Sequence, residues 1–547
     1  MKGMKIGITA TYWDPDLRFQ GAIFGAKVAG VEFLKALFKY VQQIETIDVF
    51  VSPPSQAVWL SFREGLRQQG IPVHRFVLRP AVELPKAIRN ETFLAFHCTP
   101  PPDWGNLLLL RQFAKEPFIC TATMHGISYA FLIPFLATSL LHGVTEGDKL
   151  ICSSNAQRIA LLRLLSFASQ VLPQKMELAK LEQITTLIPL GIDPNRFLSM
   201  DKELARRQWQ LPLDGLIILY IGRLTITKTD FLPLFRAFRE VLKAFPSCWL
   251  VLAGQEYPPG LTQQLARYAD ELGVKDYIIM LTSIPESAKP SLYNAADIFV
   301  SLSHTPEESF GIALLEAMAC GLPVVATDWD GYREIIVDGE TGYLVPTWWG
   351  KCDEDFNLLA LMGAWETDHF YLTQSVAFSV DSLVEMLSSL LQDAEKRREM
   401  GKKGRERIEK MFCWEAIIPH YEQLWLQRNK LPPDLIIPPN DFSLPRFWQT
   451  FSHYPTYEIA PTMKVLLTPL GYSLAEGHDV LLIYDELRFF LDEDLLDFLL
   501  ETVYSTSTKT IEELLCDARQ QNPSWSSSFI TYHLLWLTKQ GFLTFAF

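Results

Sequence analysis

The feature that most limits what this chain can become is an alternation, met twice, of short apolar runs with helical stretches. The first pass starts at residue 4: "MKIGITA" leads into "GAKVAGVEFLKALFKYVQQ", and "IDVFVS", "VHRFVL", "TFLAFHC", "FICTATMH" and "KLICSS" follow, with helix-like segments between several of them. The second starts at "LIILYIG" and runs through "WLVLAG", "YIIML", "DIFVSLS", "VVAT" and "GYLVP". Strands this apolar, joined by helices, predict parallel sheets covered on both faces. The expected fold is therefore α/β: two doubly wound, Rossmann-like domains, 1–198 and 199–428. Prolines cluster in "NKLPPDLIIPPNDFSLPRF" and mark a linker, 429–450. Residues 451–547 read as a small α+β module of winged-helix-like order. Its strand material is "DVLLIYDELRFFLD", its helices are "TIEELLCDARQQ" and "SSSFITYHLLWLTKQG", and "FLTFAF" is a final strand.

Charge narrows the choice of partners. A formal net charge of -14 over 547 residues disfavours general affinity for nucleic acid or anionic lipid, so any phosphate site must be local. A winged-helix order invites a DNA-binding reading, yet residues 471–547 hold 12 Asp or Glu against 4 Lys or Arg, the wrong sign for phosphate contacts. A peptide or protein ligand suits that module better. Eight scattered cysteines without a C-x-x-C pair read as reduced core residues of a cytoplasmic protein. The apolar run "ISYAFLIPFLATSLLHGV" is broken by Pro134 and falls short of the roughly 20 residues that cross hydrocarbon. No transmembrane segment is expected; peripheral contact with a lipid substrate stays open.

Ligands of open parallel sheets gather at the carboxyl ends of the strands. There, "GRLTITK" follows the first strand of the second half: Gly222 permits a tight turn, and Arg223 and Lys228 emerge beyond it, just before a helix whose first amides lack partners. Two cations beside a helix N-terminus suit a diphosphate; taken alone, the pair reads better as surface cations with carboxylate neighbours, and its place in the larger pattern reverses that. The fourth strand leads into "HTPEESFG", and a helix is expected to begin about one residue before Ile312 and run to Cys320. Glu308 then lies in the loop and Glu316 inside an otherwise apolar helix, eight residues on. An ionised Glu316 needs hydrogen bonds. A vicinal diol such as ribose would supply them, and so would a structural ion pair with an arginine; spacing leaves both open.

"GRLTITKTDFLPLFRAF", "ESFGIALLEAMACGLPVVATDWDGYREIIVDGETGYLVP" and "IPLGIDPNRF" resemble the retaining GT-B fold glycosyltransferases of family 4, over roughly residues 4–425. The resemblance implies that Arg223 and Lys228 bind the diphosphate of a nucleotide-sugar donor, that Glu308 holds the donor sugar, and that Phe310, Gly311 and Ile312 offer backbone amides. It implies that Glu316 binds the ribose. In the first half, "RFQGAIFGAK" places Gly21 and Gly25 where the family carries a glycine pair facing the donor, at wider spacing than its commonest form. His125, in "TATMHG", matches a histidine that contacts the donor sugar. His304 reads as a partly exposed loop residue. No metal and no cofactor are expected, the nucleotide sugar being a substrate; no Asp-x-Asp cluster stands ready for magnesium. The acceptor is an unidentified hydroxyl compound. Two other readings fit the same pattern: a nucleotide-sugar epimerase or phosphorylase, and a catalytically weak scaffold whose C-terminal module binds a peptide. The stretch 347–374 is longer than the usual connection and is expected to face the acceptor or form an interface.

Overall fold

The computed structural model describes residues 4–10, 18–19, 22–23, 25–51, 56–98, 102–111, 114–172, 175–362, 365–427, 447–484, 487 and 491–546. The chain forms two compact units, Met1–Pro194 with Arg407–Pro445, and Asn195–Glu406 with Arg446–Phe547. Most of the proline-rich stretch lies outside the described residues. Two divisions differ from the boundaries read from sequence: residues 407–428 go with the first unit, and the C-terminal hundred residues are part of the second.

The first unit holds a seven-stranded sheet in the spatial order Phe76–Pro80, Thr46–Val51, Lys5–Ala10, Ala95–Cys98, Ile119–Thr123, Lys149–Cys152, Thr185–Leu187. Every pairing is parallel. The helix Trp414–Leu426 completes this unit. Its Ile417, Ile418, Tyr421 and Trp425 are buried in one cluster with Phe33, Leu37 and Ile8. The Glu422 carboxylate accepts the backbone N–H groups of Gln42, Gln43 and Ile44 at 2.5–3.1 Å, satisfying amides just past the end of the helix Gly25–Tyr40. The apolar run 127–144 supplies only the short helix Leu132–Leu140, with Leu132, Ile133, Leu136 and Leu140 buried. Among the described residues no helix is long and apolar enough to cross a membrane. All eight cysteines are free, five of them buried.

The second unit carries a parallel six-stranded sheet in the order Ile278–Leu281, Cys248–Ala253, Leu216–Ile221, Ile298–Ser301, Val324–Thr327, Gly342–Val345. Chain order reverses between Leu216–Ile221 and Ile298–Ser301, which pair through Ile218 and Ile298. In open parallel sheets such a switch point is where ligands bind, at the carboxyl ends of the strands.

A three-stranded antiparallel sheet, Lys509–Thr510, Lys464–Leu467 and Leu543–Ala546, ends the chain together with the helices Pro469–Ala475, Glu493–Thr506, Ile511–Gln521 and Ser527–Lys539. The helix 511–521 starts on a capping box in which Thr510 and Glu513 satisfy each other's amides. The 347–374 stretch joins this assembly. Its strand Thr347–Trp349 pairs with Ala377–Phe378 on one side and Tyr457–Glu458 on the other, and its helix Trp365–Ser375 packs on Ser527–Lys539.

One expected strand does not form over its described residues. Residues 479–484, in "DVLLIYDELRFFLD", form no ladder because side chains of the sheet domain take up their polar groups: Arg236 donates to Val480 O at 2.9 Å and Tyr268 OH to Ile483 O at 3.1 Å.

Candidate functional site

The switch-point loops are fixed from below by glycine. Gly254, at φ +146°, ends the strand Cys248–Ala253 so near its neighbour that a Cβ would lie 1.7 Å from Gly222 O, and only a residue without a side chain lets the two strand ends approach this closely. Gly222 donates to Ala253 O at 3.0 Å. From that point the loop turns outward with Arg223 and Lys228 and re-enters structure at Asp230, whose carboxylate caps the helix Phe231–Ala244 by accepting from Leu232 N at 3.0 Å.

The facing loop ends at Gly311, where φ is +113° and a Cβ would meet the Tyr332 ring at 2.5 Å. Gly311 is the N-cap of the helix Ile312–Ala319. Phe310 is buried beneath it, so the helix opens with the amides of Ile312 and Ala313 ahead of the first intrahelical bond, Leu314 N to Gly311 O.

These loops bring four of the expected residues together. Lys228 Nζ lies 3.7 Å from Glu308 Oε2, and Glu308 Oε1 accepts the backbone N–H of Ser309 at 3.2 Å and of Phe310 at 3.4 Å. Glu307, which the sequence reading passed over, stands between the cations, 3.6 Å from Arg223 Nη2 and 4.0 Å from Lys228 Nζ. The acidic doublet in "PEESFG" was the available signal. Arg223 also lies over the Tyr257 ring, 6.0 Å from its centroid. The cations are held by carboxylates, as surface cations would be, yet their side chains are only 14% and 25% exposed. Two cations and two carboxylates therefore meet where the second loop leads into the helix Ile312–Ala319.

Glu316 is buried farther along the same helix. Tyr293 OH donates to its Oε2 at 2.8 Å and Lys289 Nζ stands 3.7 Å from that oxygen. Burial lifts the Glu316 carboxyl above its ordinary range, with Lys289 opposing. The partner of the buried acid is thus a lysine with a tyrosine, spaced i, i+4 in "KPSLYNA", and Oε1 accepts no hydrogen bond among the described residues.

Three further expected residues, His125, Gly21 and Gly25, fall in the sequence of the first unit. His125 follows the strand Ile119–Thr123 in the first unit and is half-buried; burial pushes its imidazole down to about 4, so the ring is neutral at pH 7. Gly21 lies outside the described residues. Gly25 opens the helix Gly25–Tyr40 and is exposed, with open space where a Cβ would stand. His304 corrects the sequence reading. It is fully buried, not partly exposed, with Nδ1 against Leu302 O and its ring 5.3 Å from that of Phe378, because the residues after Val345 roof the loop.

Residues 201–351 match the family model of glycosyl transferases group 1. The D-inositol 3-phosphate glycosyltransferase of Segniliparus rotundus is 30% identical over 206 residues, 38% of this chain and 42% of that protein. The phosphatidyl-myo-inositol mannosyltransferase of Mycobacterium tuberculosis is 35% identical over 159 residues, 29% of this chain and 39% of that protein. The chain thus spans less than half the length of these curated relatives. Among solved structures, the sucrose-phosphate synthase of Thermosynechococcus elongatus covers 78% of this chain and 98% of its own, with a TM-score of 0.53 at 21% identity. Anabaena HepE, solved in complex with UDP and glucose, covers 78% of this chain and 100% of its own, with a TM-score of 0.53 at 15% identity. These likenesses show the GT-B fold expected from the sequence.

Proposed function

We propose that the chain is a retaining glycosyltransferase that moves a sugar from a nucleoside-diphosphate donor to a hydroxyl acceptor. The observation that carries this reading is the meeting of Arg223, Lys228, Glu307 and Glu308 at the switch point of the second sheet, just before the helix Ile312–Ala319. The presence of UDP in the Anabaena HepE structure supports a nucleotide donor, as does the group 1 family match over 201–351.

In this reading the diphosphate enters between Arg223 and Lys228 and displaces Glu307 from them. As the bond between the anomeric carbon and phosphate oxygen breaks, negative charge grows on the diphosphate while the sugar becomes oxocarbenium-like. Fixed positive groups at the phosphate lower that barrier because they need no reorganisation. Arg223 and Lys228 supply the countercharge, so the proposal includes metal independence. Glu308 orients the sugar hydroxyls, and Glu316 takes the ribose diol on its open oxygen, Oε1. A neutral His125 contacts the donor sugar, and the acceptor attacks from the face the nucleotide leaves, which retains configuration.

Incubating the full chain with uridine, guanosine and adenosine diphosphate sugars, with and without cell extract, tests the reading. Nucleotide release that rises with an acceptor, and a new glycosylated product by mass analysis, are expected. Release independent of any acceptor, or none from any donor, would remove it.

A further inference from the structure

A fully buried charged pair in the second unit joins residues from near both ends of its sequence, Asp230 and Lys539. Lys539, the last residue of the helix Ser527–Lys539, has a fully buried ammonium 3.5 Å from Asp230 Oδ2, and the same Nζ donates to Thr373 O at 2.6 Å. Gln540 donates to Asp230 Oδ2 at 3.1 Å and Tyr484 to Oδ1 at 3.0 Å. Asp230 is the cap that ends the Arg223–Lys228 loop. Thr373 bears on that loop as well, since its Oγ1 donates to Thr227 O at 2.6 Å, one residue before Lys228. Three residues beyond Lys539, the Phe542 ring lies under the Arg236 guanidinium at 4.3 Å on the helix that Asp230 caps.

The start of the loop is pinned at Leu224, whose N–H donates to Gln255 O at 2.9 Å and whose O accepts from Tyr257 N at 2.8 Å. Beyond it, the bonds within the loop are a Thr225–Thr227 hydroxyl contact at 3.0 Å and two long ones, Thr229 N to Thr225 O at 3.3 Å and Thr227 N to Thr225 Oγ1 at 3.4 Å. From outside, this far part is held at Thr227 O and at Asp230, with Ser303 Oγ donating to Lys228 O at 3.3 Å. A buried carboxylate that lost its ammonium would be strongly destabilised, and the cap it forms would go with it.

We propose that Lys539 and Thr373 are positioning residues of the donor site: through Asp230 and Thr227 they hold the loop so that Arg223 and Lys228 meet a diphosphate. The proposal rests on the donor-site reading above and deepens it. The C-terminal residues are then a working part of nucleotide binding. Neither side chain touches the substrate; each acts by fixing where the cations stand, and displacements near 1 Å at such groups change rates by about 100-fold.

Calorimetric titration of the full-length chain with UDP, GDP and ADP tests this, with thermal unfolding measured in parallel. For the nucleotide that the wild type binds, Lys539→Met is expected to weaken affinity about tenfold or more, and Thr373→Val several-fold. Thr373→Ser, which keeps the hydroxyl, is expected to restore wild-type affinity. Lys509→Ala cuts the Lys509–Asp517 ion pair elsewhere in the C-terminal residues and is expected to leave affinity unchanged at whatever cost in stability. Should Lys539→Met fail to fold, the Thr373 pair decides. Wild-type affinity in folded Thr373→Val, or equal losses in Thr373→Val, Thr373→Ser and Lys509→Ala, would overturn the proposal while leaving the donor site standing. Absence of binding by the wild type to all three nucleotides would overturn both.

Discussion

The Tyr293 hydroxyl and the Lys289 ammonium address the same oxygen of Glu316, at 2.8 and 3.7 Å. A carboxylate inside an apolar helix is thereby partnered on one oxygen and left open on the other. Tyr293→Phe removes one hydrogen bond to a buried acid and nothing else of size. Denaturant unfolding is expected to show a loss of about 1–3 kcal/mol. Glu316→Ala is expected chiefly to weaken nucleotide binding, read by titration calorimetry.

Glu316 also gives a signed pH dependence. Burial holds its folded pKa above the ordinary 4.5, with Lys289 and Tyr293 opposing and Glu286 adding to the rise. Between those two values the unfolded chain has already lost the proton that the folded chain keeps. Stability therefore falls as pH rises from 4.5 through the folded value. Denaturant unfolding across that range is expected to show this component in the wild type and not in Glu316→Gln.

In the proposed donor site Glu307 would compete with the ligand. Its carboxylate stands where a diphosphate would meet Arg223 and Lys228. Glu307→Gln keeps the shape and removes the competing charge, so UDP, GDP or ADP, whichever the wild type takes, should bind several-fold more tightly at low salt. Arg223→Ala should act in the other direction and lower turnover by about 100- to 1,000-fold.

Gly254→Ala sets a Cβ against the Gly222 carbonyl at 1.7 Å, on a backbone at φ +146°. Neither neighbour is a flexible side chain that could give way. The expected loss exceeds about 2 kcal/mol, measured by denaturant titration.

His125 is neutral at pH 7, its pKa depressed to about 4 by burial. His125→Ala is expected to reduce turnover more than nucleotide affinity. The pH–rate profile of the wild type is expected to carry no inflection near 6.5 from this ring.

Both sheets were readable because a strand buried on two faces has a single sequence solution, a short apolar run; "LIILYIG" and "VVAT" form strands within a residue or so of where they were expected. The extent of the Glu316 helix was readable from Gly311 before it and from the stop signals Gly321 and Pro323 after it. Three features were not. His304 looked exposed because its cover, Phe378 and the residues around it, lies far along the chain. "DVLLIYDELRFFLD" has strand composition over 480–484, but Arg236 and Tyr268 take its carbonyls, and composition carries no record of which partner a carbonyl finds. Lys289 and Tyr293 were missed because an i, i+4 pair signals a helix face without naming the acid it faces.

The Glu422 carboxylate that gathers the amides of Gln42, Gln43 and Ile44 sits as many as 380 residues downstream of them. During synthesis the seven strands of the first sheet leave the ribosome long before that acid and its Trp425 neighbour do. The first unit must wait in an unfinished state while the second sheet is made, with Phe33 and Leu37 lacking their final cover. Nascent chains stalled before Trp414 should consequently engage chaperones through this surface, and release should follow once the closing helix emerges.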